Sequence, residues 1–384
     1  MRPIVTAGQI QIPLSSPDIG ENEIRAVVEV LRSSRLSLGP KMAEFEHAIA
    51  SYVGASHAVA LSSGTSGLHC CLRALGLHEG DEVIVPSFTF IAAANVIRYE
   101  RATPVFVDID PVTMNMDPAK VAAAVTPRTR AILVVHTFGC PVDLDPILEI
   151  AREHRLRVIE DACEAIGAEY RRKKVGTLGD VGVFAFYPNK QITTGEGGMV
   201  VTNDAEIARM VRALRNQGRF ESNEWFQHSI LGFSYRISEM DCALGIEQMR
   251  RIEEILTLRA EVARTYHSLL SDNVDLQLPP MTIGYGTVSW FVYVVRLSER
   301  FTQADRDWIV QTMGERGIAC GRYFAPVHQQ PAYDGFAATL LITEAHARRA
   351  IALPFFNRIT HDEQKTVCDN LGRLMKQAMD RSGA

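Results

Sequence analysis

Lys190 stands between the apolar run "VGVFAF" and the glycine-rich "TTGEGG". Desolvation penalises an ammonium group at the mouth of a buried strand, so the side chain either snorkels to water or loses its proton and reacts. A lysine amine in a partly dry site forms imines with aldehydes and ketones. Earlier, "RVIEDACEAIGA" at 157–168 puts Glu160 and Asp161 at the C-terminal end of an apolar strand. Open α/β sheets bind ligands at that end. A carboxylate there either caps the next helix or, once buried, keeps a ring cation protonated. The turn "SGTSG" joins the strand "HAVAL" to the helical "LHCCLRAL". Its glycine permits close backbone approach, and the free N–H groups at a helix start favour an anion. Gly64, Thr65 and Ser66 thus suit a phosphate, though such turns also occur without a ligand.

An anion site, a buried acid and a reactive amine in one domain match the needs of pyridoxal 5'-phosphate (PLP). Their positions depend on the elements around them. Residues 18–53 read as mostly helical, with "LSLGP" as the turn between two helices. "HAVAL", "EVIVPSF", "PVFVDI", "AILVVHTF", "RVIEDA", "VGVFAF" and "GMVVT" are short apolar strands, most of them separated by helical stretches. That alternation implies an α/β fold, a mainly parallel sheet covered by helices on both faces. In "LHCCLRAL", positions 68, 71, 72 and 75 form a helical apolar stripe. Residues 238–270 read as one long helix, opened at the capping-box spacing of Ser238 and Asp241. The strand "SWFVYVVRL" follows, with helices opened by Thr302 and Thr360. The expected division is a large domain over 1–254 and a smaller C-terminal α+β domain over 255–384.

Apolar residues make up 47% of the 384, charged residues 22%, and the formal net charge is −5. The four residues "RRKK" at 171–174 are the longest basic block, which argues against a nucleic-acid partner. No run of about eighteen apolar residues exists to span a membrane. The N-terminal "MRPIVTAGQIQIPLSSPDIG" lacks a signal-peptide core, so a cytoplasmic protein is expected. Seven scattered cysteines without a C-x-x-C pair read as reduced, structural thiols and not as a metal site.

The ordered strings "SSGTSGL", "PSFTFIAAANVI", "IEDACEAIGA", "GTLGDVGVFAFYPNKQITTGEGG", "GFSYRISEMDCALG" and "PVHQQPAY" carry a resemblance. The chain resembles the DegT/StrS family of PLP-dependent sugar-nucleotide aminotransferases, which have the type I aspartate-aminotransferase fold. The resemblance covers nearly the whole chain. It implies that Lys190 holds PLP as an imine and moves the proton between substrate and cofactor carbons. It implies that Asp161 pairs with the pyridine nitrogen, that Gly64 and Thr65 hold the phosphate, and that Phe90 stacks on the ring, unless Phe90 is plain core packing. Glu164 falls where many relatives carry His or Gln near the cofactor hydroxyl, and glutamate there resembles the perosamine-synthase-like branch.

Two positions depart from the usual pattern. Ala185 replaces a serine that commonly donates to the phosphate. Ser234 replaces an asparagine that reaches the neighbouring subunit's phosphate, a role that requires a homodimer. Arg236 and His328 are substrate-side candidates, with a structural ion pair or a packed histidine as their alternatives. The implied reaction moves an amino group from L-glutamate to a nucleotide-linked ketosugar. Two other readings stay open at this point: a PLP enzyme acting on a cyclitol or amino acid, and a nucleotide-sugar-binding regulator without turnover.

Overall fold

The computed structural model describes residues 11–382, apart from 222, 223, 225 and 337. Two helices come first, α1 (Glu21–Arg32) and α2 (Pro40–Val53). Proline opens α2, and Gly54 closes it at φ +78°, a left-handed cap that glycine adopts without strain. The Glu239 carboxylate accepts hydrogen bonds from the Lys41 and Met42 N–H groups, so the "LSLGP" turn is held from 198 residues away.

The alternating segment runs β1 (His57–Leu61), α3 (Gly64–Ala74), β2 (Glu82–Pro86), α4 (Ala92–Tyr99) and β3 (Thr103–Val107). It continues through α5 (Pro118–Ala124), β4 (Thr129–Val135), α6 (Leu144–His154) and β5 (Arg157–Asp161). A small hairpin of β6 (Glu169–Tyr170) and β7 (Lys173–Lys174) precedes β8 (Val181–Ala185), β9 (Gly198–Thr202) and α7 (Ala205–Arg215). Seven strands form one sheet in the order β1-β9-β8-β5-β4-β2-β3. Only β9 runs against the other six. Side chains alternate between the two faces. Ile84, Ile132 and Val134 join one apolar core, and Val83, Val85 and Leu133 join the other.

The segment read as one long helix is two, α8 (Glu239–Arg250) and α9 (Ile252–Leu270). Arg251 breaks the helical geometry at φ −108°, ψ 8°. Its guanidinium is tied to Asp18, Glu23 and Glu254, a tertiary anchor that helical periodicity does not report. The bend lets α8 pack on α1 and α2 while α9 packs on the C-terminal helix.

The C-terminal part contains β10 (Leu276–Gln277), β11 (Gly286–Thr287), β12 (Tyr293–Leu297), α10 (Gln303–Glu315), α11 (Leu341–Arg349), β13 (Ala350–Leu353) and α12 (His361–Ser382). Thr302 caps α10 with Asp305 returning the bond, and Thr360 and Glu363 do the same ahead of α12. Strands β10, β12 and β13 make a second sheet. Residues 11–14, placed with the large domain from sequence, join this C-terminal part. Ile12 bridges Ile318 and packs in its core, and the Leu14 carbonyl accepts from the Phe355 N–H.

Candidate active site

The ends of β1, β5 and β8 converge with residues 291 and 323–324 on a cavity of about 460 Å³. Ser63 caps α3 by accepting from the Ser66 N–H, and the Ser66 hydroxyl accepts from the Ser63 N–H. The N–H groups of Gly64 and Thr65, in the first turn, have no acceptor within the helix, and both residues line the cavity. Any side chain on Gly64 would meet the Ala185 Cβ at 2.7 Å and the Cys163 Sγ at 2.8 Å, so only glycine lets the helix start this close to β8. Ala185 lines the cavity and brings no hydroxyl.

Glu160 and Asp161 are neighbours on β5 and point to opposite faces. Glu160 is fully buried and accepts from His136 and from the N–H groups of Gly176, Leu178 and Gly179. Burial raises its pKa, but the His136 contact and these donors outweigh burial and hold its carboxyl below the usual range. Asp161 faces the cavity and accepts from the Cys163 N–H at 3.1 Å. Burial pushes its carboxyl up, incompletely offset by Cys163, Lys190 and His136. It is a buried acid short of a cationic partner.

Lys190 follows β8 in a tight turn, its N–H donating to the Tyr187 carbonyl. Behind it, the Thr193 hydroxyl and the Thr194 N–H both donate to the Phe186 carbonyl, fastening the glycine-rich loop to the strand end. The lysine side chain is 14% exposed, so it does not snorkel. Its Nζ lies 3.5 Å from Glu164 Oε1 and 4.0 Å from the centre of the Phe291 ring. The other Glu164 oxygen accepts from the Phe138 N–H at 2.9 Å, which orients the carboxylate. Burial raises the Glu164 carboxyl, with Lys190 pulling it back.

Phe90 borders the cavity and is 61% exposed within one chain, so it sits at the mouth and is not core. Ser234 and Arg236 lie outside the cavity lining. Arg236 donates to Ser234 Oγ and to Asn216 Oδ1, and Ser234 is exposed. His328 does not line this cavity either. It is buried, with Nδ1 2.7 Å from Ser87 Oγ and Nε2 3.4 Å from Glu344. Both ring nitrogens have a protein partner within hydrogen-bond distance. Sequence reasoning missed Asn189, Phe291, Tyr323 and Phe324, all of which line the cavity. Asn189 lay inside a quoted motif, and Phe291 inside "SWFVYVVRL", which was read only as a strand.

A hollow of about 570 Å³ near Arg209, Arg212 and Arg219 has no lysine or buried carboxylate in its lining. All seven cysteines are free thiols. Among the described residues, no cluster of three His, Cys, Asp or Glu side chains could hold a metal ion, and no helix is long and apolar enough to cross a membrane.

The arrangement suits PLP on structural grounds. The cradle at Gly64 admits a phosphate to free N–H groups, the under-compensated Asp161 asks for a ring cation, and a protected amine stands in the same cavity. The comparisons agree. The chain is 41% identical to GDP-perosamine synthase of Caulobacter vibrioides, covering 95% of this chain and 98% of the relative. It is 36% identical to the spore coat polysaccharide biosynthesis protein SpsC of Bacillus subtilis, with 96% and 98% covered. The fold superposes on the PMP form of the sugar aminotransferase Spr1654 of Streptococcus pneumoniae with a TM-score of 0.92, at 26% identity over 97% of this chain and all of that one. DesV of S. venezuelae, solved with a ketimine intermediate, matches at 36% identity and a TM-score of 0.85, covering 93% and 94%. The profile of the DegT/DnrJ/EryC1/StrS aminotransferase family matches residues 17–372, and the chain belongs to that family.

Proposed function

We propose that this sugar aminotransferase carries an amino group from L-glutamate to a nucleotide-linked ketosugar. The observation that carries the reading is the shared cavity of Lys190, Asp161 and the first turn of α3. Bound PLP supplies a carbonyl that captures amines and an electron sink for the carbanion next to the transferred nitrogen.

The chain's own groups do the rest. Gly64 and Thr65 hold the phosphate through two N–H groups and the Thr65 hydroxyl. The Asp161 carboxylate would hold the ring nitrogen protonated, which would give the buried acid a cation. Phe90, at the mouth of the cavity, would cover one face of the ring. Glu164, oriented by the Phe138 N–H, serves the cofactor hydroxyl and steers the Lys190 amine. With PLP held there, the Lys190 amine would be placed to take the proton from the substrate carbon that bears nitrogen and to give it back on the cofactor side. In the sugar half-reaction the two transfers run in reverse.

Ser234 and Arg236, exposed or half-buried outside the cavity, serve the site of a second subunit in a homodimer. Arg236 offers a planar pair of donors for a carboxylate or pyrophosphate. Support for a sugar nucleotide as acceptor comes from the 41% identical GDP-perosamine synthase and from glutamate at position 164. Turnover of L-glutamate with a panel of ketosugar nucleotides, in wild type and Lys190→Ala, tests the reading.

A further inference from the structure

Phe291 belongs to the C-terminal part, yet its ring lies against the lysine of the large sheet. Lys190 Nζ stands over the ring face, 4.0 Å from its centre, and Glu164 Oε1 is 3.5 Å from the same nitrogen. A tight charge-assisted bond between an amine and a carboxylate is about 2.7–2.9 Å long, so the Glu164 pair is loose. A ring face attracts a cation without fixing a bond direction, and the attraction is strongest where water is excluded. Phe291 is 2% exposed and the lysine side chain 14%.

The backbone that carries the ring is clamped. Arg259, buried on α9, donates to the Trp290 and Phe291 carbonyls at 2.7 and 2.6 Å and to Asn357 Oδ1 at 2.9 Å. Burial, with no acidic partner to offset it, pulls its guanidinium down to about 9. A buried cation without a counter-ion is costly, and this one fixes the two residues that place the ring. Gln191, next to the lysine, adds a second tie. Its Nε2 donates to the Glu164 carbonyl at 2.6 Å and to the Ser289 carbonyl at 3.0 Å. Amine, carboxylate and ring are therefore fastened to one amide.

We propose that the Phe291 face is part of the proton-transfer machinery and holds the Lys190 ammonium while the lysine carries a proton. This rests on the reading of Lys190 as the proton carrier of an aminotransferase. The amine lone pair takes the proton, the electron pair of the broken C–H bond stays with the substrate and bound cofactor, and the ammonium then gives the proton up at the second carbon. Between the two events the charge sits on Nζ, where the ring stabilises it and leaves the amine free to swing.

The test replaces Phe291 with phenylalanine analogues bearing one, two and three ring fluorines. Fluorine draws electron density from the ring face with little change of shape. Two rates are read at pH 7: capture of PLP by the apo protein, and bleaching of the loaded protein's band by L-glutamate in a single turnover. Capture needs the amine without its extra proton, so it should quicken with each fluorine. Bleaching should slow with each, by about 3-fold or more at the third. Phe291→Leu, which has no ring face, should lie beyond the third fluorine on both scales. Rates that ignore fluorine, or that both fall together, overturn the proposal. Failure of the parent reading looks different: the wild-type apo protein captures no PLP, or its band ignores L-glutamate.

Discussion

The Lys190 amine sits 3.5 Å from the Glu164 carboxylate, and the far oxygen of that carboxylate is held by the Phe138 N–H. The lysine is therefore aimed from a side chain that is itself anchored. Glu164→Gln keeps the shape and the acceptor toward Phe138 but removes the charge facing the amine. Turnover should fall about 10-fold or more while cofactor remains bound, as for loss of a positioned proton-transfer partner. A Glu164→Gln enzyme with wild-type kcat and an unchanged cofactor spectrum would remove Glu164 from the account.

Asp161 trades stability for cofactor binding. Its folded-state carboxyl is raised, chiefly by burial. Below the ordinary carboxylate value the group is protonated in both states and costs nothing. As pH rises through that value, the unfolded chain ionises freely and the folded one resists, so the apo protein loses stability. Asp161→Asn should raise the apo melting temperature by about 1–3 °C at pH 7–8, with the gain vanishing near pH 4. The same variant should lose PLP on dialysis. A lower apo melting temperature at pH 8 contradicts this.

Its neighbour Glu160 has the opposite sign. Burial would raise its carboxyl, but the His136 contact and three N–H donors hold it low. The stability this carries is present above the ordinary carboxylate value and is lost as pH falls through the lowered one. Glu160→Ala strands those donors and should cost about 3 kcal/mol or more at pH 7. Urea unfolding of the apo protein at pH 7 measures it, and a loss below about 1 kcal/mol would show that water replaces the carboxylate.

Gly64→Ala places a methyl group against Ala185 and Cys163. Neither neighbour is a flexible side-chain end, so the start of α3 must shift. PLP affinity should drop at least about 10-fold, with a stability loss of about 1–3 kcal/mol. Fluorescence titration with PLP reads the first, and thermal melting the second.

Arg236 serves a neighbouring subunit only if the sites are shared. Two inactive variants, Lys190→Ala and Arg236→Ala, then complement each other. A 1:1 mixture, unfolded and refolded together, should regain about a quarter of wild-type activity, because half the dimers hold one intact site of two. No recovery, with mixed dimers shown by mass, would place Arg236 in its own subunit's site.

The parallel sheet was legible because its strands are continuous apolar runs, and strand ends point to the site. That is why Lys190, Asp161 and Gly64 fall in one cavity, as their positions in the sequence suggested. Interactions between distant segments were not legible. Arg251 breaks a periodic helix because Asp18 and Glu23 hold it from more than 200 residues away. His328 is packed because Ser87, 241 residues earlier, takes its ring nitrogen. The aromatic wall of Phe291, Tyr323 and Phe324 comes from the C-terminal part, where no strand-end rule applies.

The most direct test is the absorbance spectrum of the PLP-loaded protein before and after L-glutamate. The account predicts a band from lysine-bound cofactor that bleaches with glutamate, shifts toward the amine form, and is absent in Lys190→Ala. A wild-type band that ignores glutamate, or a Lys190→Ala protein that responds like wild type, would contradict it.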